Sequence, residues 1–405
     1  MKYDFDDIAD RGIDNARKWD KEIVNKKFPG LPDDFIPLWI ADMDFKAAPE
    51  IRDALTRMSQ NGAYGYTYAT QEWFQSVINW QLKKHNNHIE QEWVTLGYGT
   101  VPNMHCLVQT LTEPGDYIIM NTPVYGPFAY AAEHNDRRVI TVPLILKKDR
   151  YYLDFDRIET EMKKNHPKIM MFCSPHNPSG RIWSKDELLK IAQLCFENNV
   201  VMVSDEVHSE HIMEGQFISA LQLPEKYLNN LVMFTSPNKA FNLGGLKLSY
   251  SIIPNEQLRS ALRMQYIKNS VTSPNVPGQI AMTTAYNECG EWLTQCEAYI
   301  KKNLQIFEKA LESDFPEWKL LKVESSYLPW VDISNSEFDM HTIAQNMAMN
   351  AGVVVGIGDD YVADANDFLR FNLGTSRELV EESMERMAKE WKRMKLNSQR
   401  VLKNV

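Results

Sequence analysis

"KIMMFCSPHNPSGRIWSKDELLKIAQLCFENNVVMVSDEVHSEH", residues 168 to 211, spells a strand, a helix and a second strand in one continuous stretch. The apolar run Lys168 to Cys173 stops at a Ser-Pro-His-Asn-Pro cluster of turn residues, as a buried strand does. Ser184 and Glu187 then stand at capping-box spacing, where each side chain satisfies a free main-chain N–H of the other's residue. Leu188, Ile191, Ala192, Cys195 and Phe196 follow at helical intervals, which predicts one apolar face. The run Val200 to Val203 is the second strand. A helix between two short apolar strands is a crossover, and a crossover implies a parallel pair.

The same alternation extends on both sides. "WVTL" (93–96), "YIIM" (117–120), "VITV" (139–142), "LVMF" (231–234) and "YSII" (250–253) are further candidate strands. Between about residues 90 and 255 the chain therefore reads as an α/β domain with a mainly parallel sheet. Beyond about residue 290 the pattern changes. Long amphipathic stretches, "EWLTQCEAYIKKNLQIFEKALES" and "SRELVEESMERMAKEWKRMKL", flank short strands such as "YLPWVDIS", which predicts a second, smaller α+β domain. "VVVGIGDDY" (353–361) resembles a dinucleotide loop only superficially, because it lacks a third glycine and a following helix signal.

Composition narrows the function. The chain has 405 residues, 44% of them hydrophobic, enough for a substantial core. A formal charge of -10 without a Lys/Arg stripe argues against nucleic acid and for a small-molecule partner. No run of eighteen apolar residues is present, and the N-terminus is charged from its start, so neither a membrane span nor a signal peptide is expected, and a cytoplasmic location is. Five dispersed cysteines without a CxxC pair argue against disulfides and zinc. His208 and His211 match no HExxH or HxxEH spacing, so no metal is expected.

In an open parallel sheet, ligands sit beyond the carboxyl ends of the strands, and the residues found there form a set. "YIIMNTPVYGPF" delivers Tyr125, "KIMMFCSPHNPSGR" delivers Asn177, "VVMVSDEVHSEH" delivers Asp205 and His208, and "LVMFTSPNK" delivers Ser236 and Lys239. One aromatic, one amide, one acid and one amine converge. Pyridoxal phosphate requires such a set: an amine to bond its aldehyde, an acid to keep its ring nitrogen protonated, and an aromatic face to stack on the ring. Alone, Lys239 would read as a solvated surface cation, and Asp205 as a helix cap.

"SPHNPSGR", "SDEVH" and "SPNKAFNLGGLK" closely resemble the signatures of fold-type I pyridoxal phosphate enzymes, the aminotransferase class I/II superfamily with the aspartate aminotransferase-like fold. With "RKWD" (17–20), "PLWIADMDF" (37–45), "YGYTY" (64–68), "TPVYGPF" (122–128) and "FLRFN" (368–372), the likeness is greatest to the MalY/PatB group of cystathionine β-lyases, or C-S lyases. The histidine of "SDEVH" stands where ordinary aminotransferases usually carry tyrosine.

The resemblance implies a large domain over 49–289, a small one over 290–405, and an N-terminal segment, 1–48, joining the small domain. It implies that Lys239 carries the cofactor and then moves the substrate's α-proton. Asp205 would pair with the ring nitrogen, Asn177 with the phenolic oxygen, Tyr125 with the ring face, and His208 would lie near the same oxygen. Gly99, Thr100, Val101, Ser236 and Lys247 would hold the phosphate, joined by Tyr66 from a neighbouring subunit of a homodimer. Arg370 would read the substrate carboxylate, with Ile40, Ala41 and Asp42 closing over it. The implied reaction is α,β-elimination on L-cystathionine or a cysteine S-conjugate, a step of methionine biosynthesis for the former, with aminotransferase chemistry on a small or aromatic L-amino acid as the alternative. Three departures stand out: Asn238 where serine is common, Lys247 where arginine often appears, and "IGDDYVADANDFLR" in place of a glycine-richer stretch.

Overall fold

The computed structural model describes residues 2–403. Its main sheet has seven strands in the order Val94–Gly97, Ser249–Ile252, Leu231–Thr235, Val201–Asp205, Ile169–Cys173, Tyr117–Thr122 and Arg138–Pro143. Each of the seven runs picked out in the sequence is one of these strands. Ser249–Ile252 runs antiparallel to both neighbours and the other pairs are parallel, so the sheet is mixed but mainly parallel. "VVVGIGDDY" forms the strand Val353–Ile357, a single 3-10 turn and the start of a short strand, with no helix after it.

The crossover helix spans Lys185–Glu197, and both halves of its capping box form: Ser184 Oγ accepts from Glu187 N at 3.2 Å, and Ser184 N donates to Glu187 Oε2 at 2.7 Å. Ser184→Ala is expected to cost about 1 kcal/mol, read as a lower midpoint in thermal or urea unfolding. Phe196 corrects the sequence reading. It is largely exposed and meets Tyr227 edge-on, while Leu194 is buried instead. At 100° per residue Leu194 and Phe196 flank the face of Leu188, Ile191, Ala192 and Cys195 on opposite sides, and it is the Leu194 side that packs into the core.

A second sheet has five strands in the order Ile36–Leu38, Val353–Ile357, Phe368–Arg370, Trp330–Asp332 and Lys319–Leu320. Ile36–Leu38 reaches it from the N-terminal part of the chain and pairs in parallel with Val353–Val355. The helix Gly290–Asp314 serves two cores. Trp292, Leu293 and Cys296 pack with the large-sheet cluster, whereas Phe307 and Leu311 pack under the small sheet.

Glu324 pins the loop "SPHNPSGR" against the small-sheet side. It accepts from Arg150 Nη2 at 2.6 Å, Arg181 Nη1 at 3.3 Å and Ile182 N at 3.0 Å. Gly180 has φ 67°, and a Cβ there would lie 2.7 Å from the Ser325 carbonyl oxygen, so only glycine lets the two segments meet. Among the described residues no helix is long and apolar enough to cross a membrane.

Candidate active site

Strand ends place the acid and the amine on neighbouring strands. Asp205 ends Val201–Asp205, which pairs with Leu231–Thr235, the strand leading into Ser236 and Lys239. Asp205 is buried and accepts from Val207 N at 3.1 Å. Burial, the larger effect, pushes its carboxyl up to about 7 against the pull of that hydrogen bond, and the charge of Glu206 adds to the rise. A carboxylate so placed is short of a cation. Lys239 shows the opposite response: burial drives its amine down to about 8, while the carboxylates of Asp42 and Asp205 pull it back up. Its Nζ donates to Ala41 O at 2.6 Å.

Tyr125, partly exposed, lies close enough to Arg370 and Asp205 to feel both charges, and burial of its hydroxyl raises its pKa, so it keeps its proton at neutral pH. Asn177 is buried, and its Oδ1 accepts from Arg370 Nη1 at 3.3 Å. Its Nδ2 donates to no group among the described residues. His208 is buried beside Lys239, Arg370, His211 and His176, and burial, helped by the two cations, holds it well below the usual histidine range, hence neutral.

Arg370 is 8% exposed, yet no acid pairs with it among the described residues. Nη1 and Nη2 donate to neutral oxygens, Asn177 Oδ1 and Trp39 O (2.9 Å), and Nε is buried without a partner. A buried guanidinium without a counter-charge is expensive to keep, and a ligand carboxylate offers the bidentate partner it lacks.

The phosphate candidates are less concentrated. Gly99 caps the helix Thr100–Leu111 at φ 105°, a backbone only glycine adopts readily, and its N–H donates to Ser249 Oγ at 3.1 Å. The first-turn N–H groups of Thr100 and Val101 have no partner within the helix and suit an anion. Ser236 Oγ accepts from Asn238 N at 3.0 Å, which leaves its own proton free to donate. Lys247 is exposed, in left-handed backbone, and near enough to Lys239 to depress it slightly. Tyr66 stands apart, wholly exposed between the exposed Tyr64 and Tyr68, and contributes nothing to the site of its own chain.

What reading side chains missed is a cradle of main-chain oxygens. Every carbonyl from Trp39 to Phe45 accepts a hydrogen bond from elsewhere in the chain. Trp39 O takes Arg370, Ile40 O takes Asn372, Ala41 O takes Lys239 and Tyr327, and Asp42 O takes Lys18 and Asn372. Met43 O takes Arg11 and Asn242, Asp44 O takes Ala9 N, and Phe45 O takes Asn242. Beneath it Lys18 and Asp44 form a fully buried ion pair at 2.7 Å, and Trp19 Nε1 also donates to Asp44 at 2.8 Å. "RKWD" and "PLWIADMDF" are thus two halves of one contact. His211 Nε2, 3.1 Å from Lys239 O, braces the lysine's own backbone.

The arrangement fits pyridoxal phosphate: a depressed amine, a buried carboxyl in need of a cation, an amide with its N–H groups free, and open N–H groups at a helix start. Residues 33–387 match the family model described as aminotransferase class I and II. The chain belongs to this family. Among its members, cystathionine beta-lyase PatB of Bacillus subtilis (strain 168) is 33% identical over 384 residues, covering 95% of this chain and 98% of that protein. Protein MalY of Escherichia coli (strain K12) is 29% identical over 384 residues, covering 94% and 97%. The crystal structure of cystalysin from Treponema denticola, which contains a pyridoxal 5'-phosphate cofactor, superimposes with a TM-score of 0.92 at 32% identity, covering 97% of this chain and 100% of that one. Aminotransferases are more distant relatives.

Proposed function

We propose that this protein is a pyridoxal phosphate-dependent C-S lyase acting by α,β-elimination on L-cystathionine or a related cysteine S-conjugate. The carrying observation is that Arg370, buried without an acid among the described residues, and Lys239, a depressed amine, reach the same few residues of backbone, Trp39 to Ala41. That juxtaposition suits the carboxylate and the α-carbon of one amino acid. Relatives named for this activity support the reading over transamination.

When bound, the cofactor supplies an aldehyde that bonds the substrate amine and a ring that accepts the electron pair left at Cα. Lys239 and Asp205 would hold its two ends of reactivity, Asn177 and His208 its phenolic side, Tyr125 its face, and Thr100, Val101, Ser236 and Lys247 its phosphate. Arg370 fixes the substrate by its carboxylate and so directs the Cα–H bond. Lys239, near its pKa at neutral pH, takes the Cα proton on Nζ. Breaking of the Cβ–S bond sends its electron pair to sulfur. The thiolate takes its proton from Lys239 or from Tyr125, both of which carry one at that point. Water then converts the released aminoacrylate to pyruvate and ammonia.

The exposed Tyr64, Tyr66 and Tyr68 favour a homodimer in which this segment approaches the partner's site, and a cytoplasmic location accords with substrates of this kind. Incubation of the purified protein with L-cystathionine is expected to yield pyruvate and free thiol with no keto acid added. Amino-group transfer that depends on a keto acid, without thiol release, would overturn the lyase assignment.

A further inference from the structure

The segment that departs most from the resemblance is a built structure. It leaves the strand Val353–Ile357 and returns as Phe368–Arg370, with Gly356 paired to Arg370 and Ile357 to Leu369. A Cβ on Gly358 would lie 1.7 Å from the Ala365 carbonyl oxygen, so glycine is required where the loop folds back on itself. Ala363 and Asp364 sit in left-handed backbone at φ 47° and 55°, and Thr122 Oγ1 donates to Asp364 Oδ2 at 2.6 Å.

Within this loop Tyr361 has two attachments. Its backbone pairs antiparallel with Tyr125, in a two-residue ladder completed by Val362 and Val124. Its buried ring lies under Arg370, the guanidinium carbon 5.4 Å from the ring centroid, and meets Trp330 edge-on at 5.0 Å. Trp330 in turn stacks flat on Phe368, also at 5.0 Å. Among the described residues Arg370 has no ionic anchor; it makes two hydrogen bonds to neutral oxygens and lies close enough to the Tyr361 hydroxyl to interact with it, so Tyr361 is the main further hold on the orientation that bidentate binding demands. The negative face of an aromatic ring attracts a guanidinium and fixes its plane.

We propose that Tyr361 is a positioning residue for Arg370: its ring holds the guanidinium plane for the substrate's α-carboxylate, and its ladder with Tyr125 keeps that plane in register with the ring-facing tyrosine. The proposal rests on reading Arg370 as the carboxylate reader. It makes the loop part of the binding apparatus through the ring at 361, independently of the acids around it.

A double-mutant cycle on the cofactor-loaded enzyme tests it, with glycine affinity measured by titrating the cofactor absorbance and kinetics measured on L-cystathionine. Tyr361→Leu is expected to weaken glycine about tenfold and to raise KM similarly with kcat within about threefold, the loss expected when a desolvated cation gives up its ring. Tyr361→Phe, which keeps the ring but removes the hydroxyl beside Arg370, should lose no more than about threefold in either measurement, well short of Leu. In an Arg370→Ala background, Tyr361→Leu should change glycine affinity by less than about twofold, since contacting residues are not additive. An undiminished loss in that background, or a Phe variant as poor as Leu, overturns the proposal. If Arg370→Ala alone leaves glycine affinity unchanged, the carboxylate reading fails first and the brace with it.

Discussion

Turnover by Lys239→Ala is expected to fall by at least about three orders of magnitude, because a positioned base contributes up to about 10⁴-fold and, among the described residues, no other lysine reaches Ala41 O. Added methylamine or ethylamine should restore a fraction of the rate if only the base is missing. The cofactor absorbance of the variant should also lose its dependence on the lysine. Retained turnover in a protein free of wild-type contamination would refute the assignment. The wild-type amine also leaves a signature in stability. Its folded pKa, about 8, lies below its unfolded value, so the unfolded chain binds more protons between those limits. Cofactor-free protein should therefore gain stability from this group as pH rises from about 8 towards 10, and Lys239→Met should remove that gain.

Asp205→Asn should have the second large effect, and its two readouts should move in opposite directions. Activity is expected to drop at least about 10³-fold, since asparagine cannot hold the ring nitrogen charged. Cofactor-free protein should instead become more stable. The folded carboxyl titrates at about 7 against an unfolded value near 3.8, so the folded state binds the extra proton and stability falls as pH rises between those values. Above pH 7 the whole penalty is present, on the order of 4 kcal/mol for about three pKa units. The variant should thus unfold at a higher temperature than the parent at pH 8 and at nearly the same temperature near pH 4. Equal midpoints at pH 8 would show that the site does not strain its acid.

Much of this was legible in the sequence because strands buried on both faces are written as uninterrupted apolar runs, and the residues that follow them are written as turns. Tyr125, Asn177, Asp205, Ser236 and Lys239 could be collected for that reason alone. Phe196 was misplaced because apolar residues at intervals of three and four define a helix face without saying which of its flanks, that of Leu194 or that of Phe196, meets the core. The cradle at 39–45 had no such signal: its acceptors are main-chain oxygens, which every residue carries, and its donors Lys18, Asn242, Tyr327 and Asn372 are scattered along the chain. Tyr361 lay in the segment where resemblance is weakest, and only the ladder to Tyr125 and the ring beneath Arg370 reveal it.

The cradle also sets a rule of length. Seven successive carbonyls are matched to donors fixed in other segments, so inserting or deleting one residue between Trp39 and Phe45 would put the carbonyls on one side of the change out of step with those on the other. Replacing a side chain there leaves the main-chain acceptors in place, whereas changing the count displaces several of them together. The stretch works as a ruler laid along the site, and natural or engineered variation in loop length has to be taken up elsewhere in the chain.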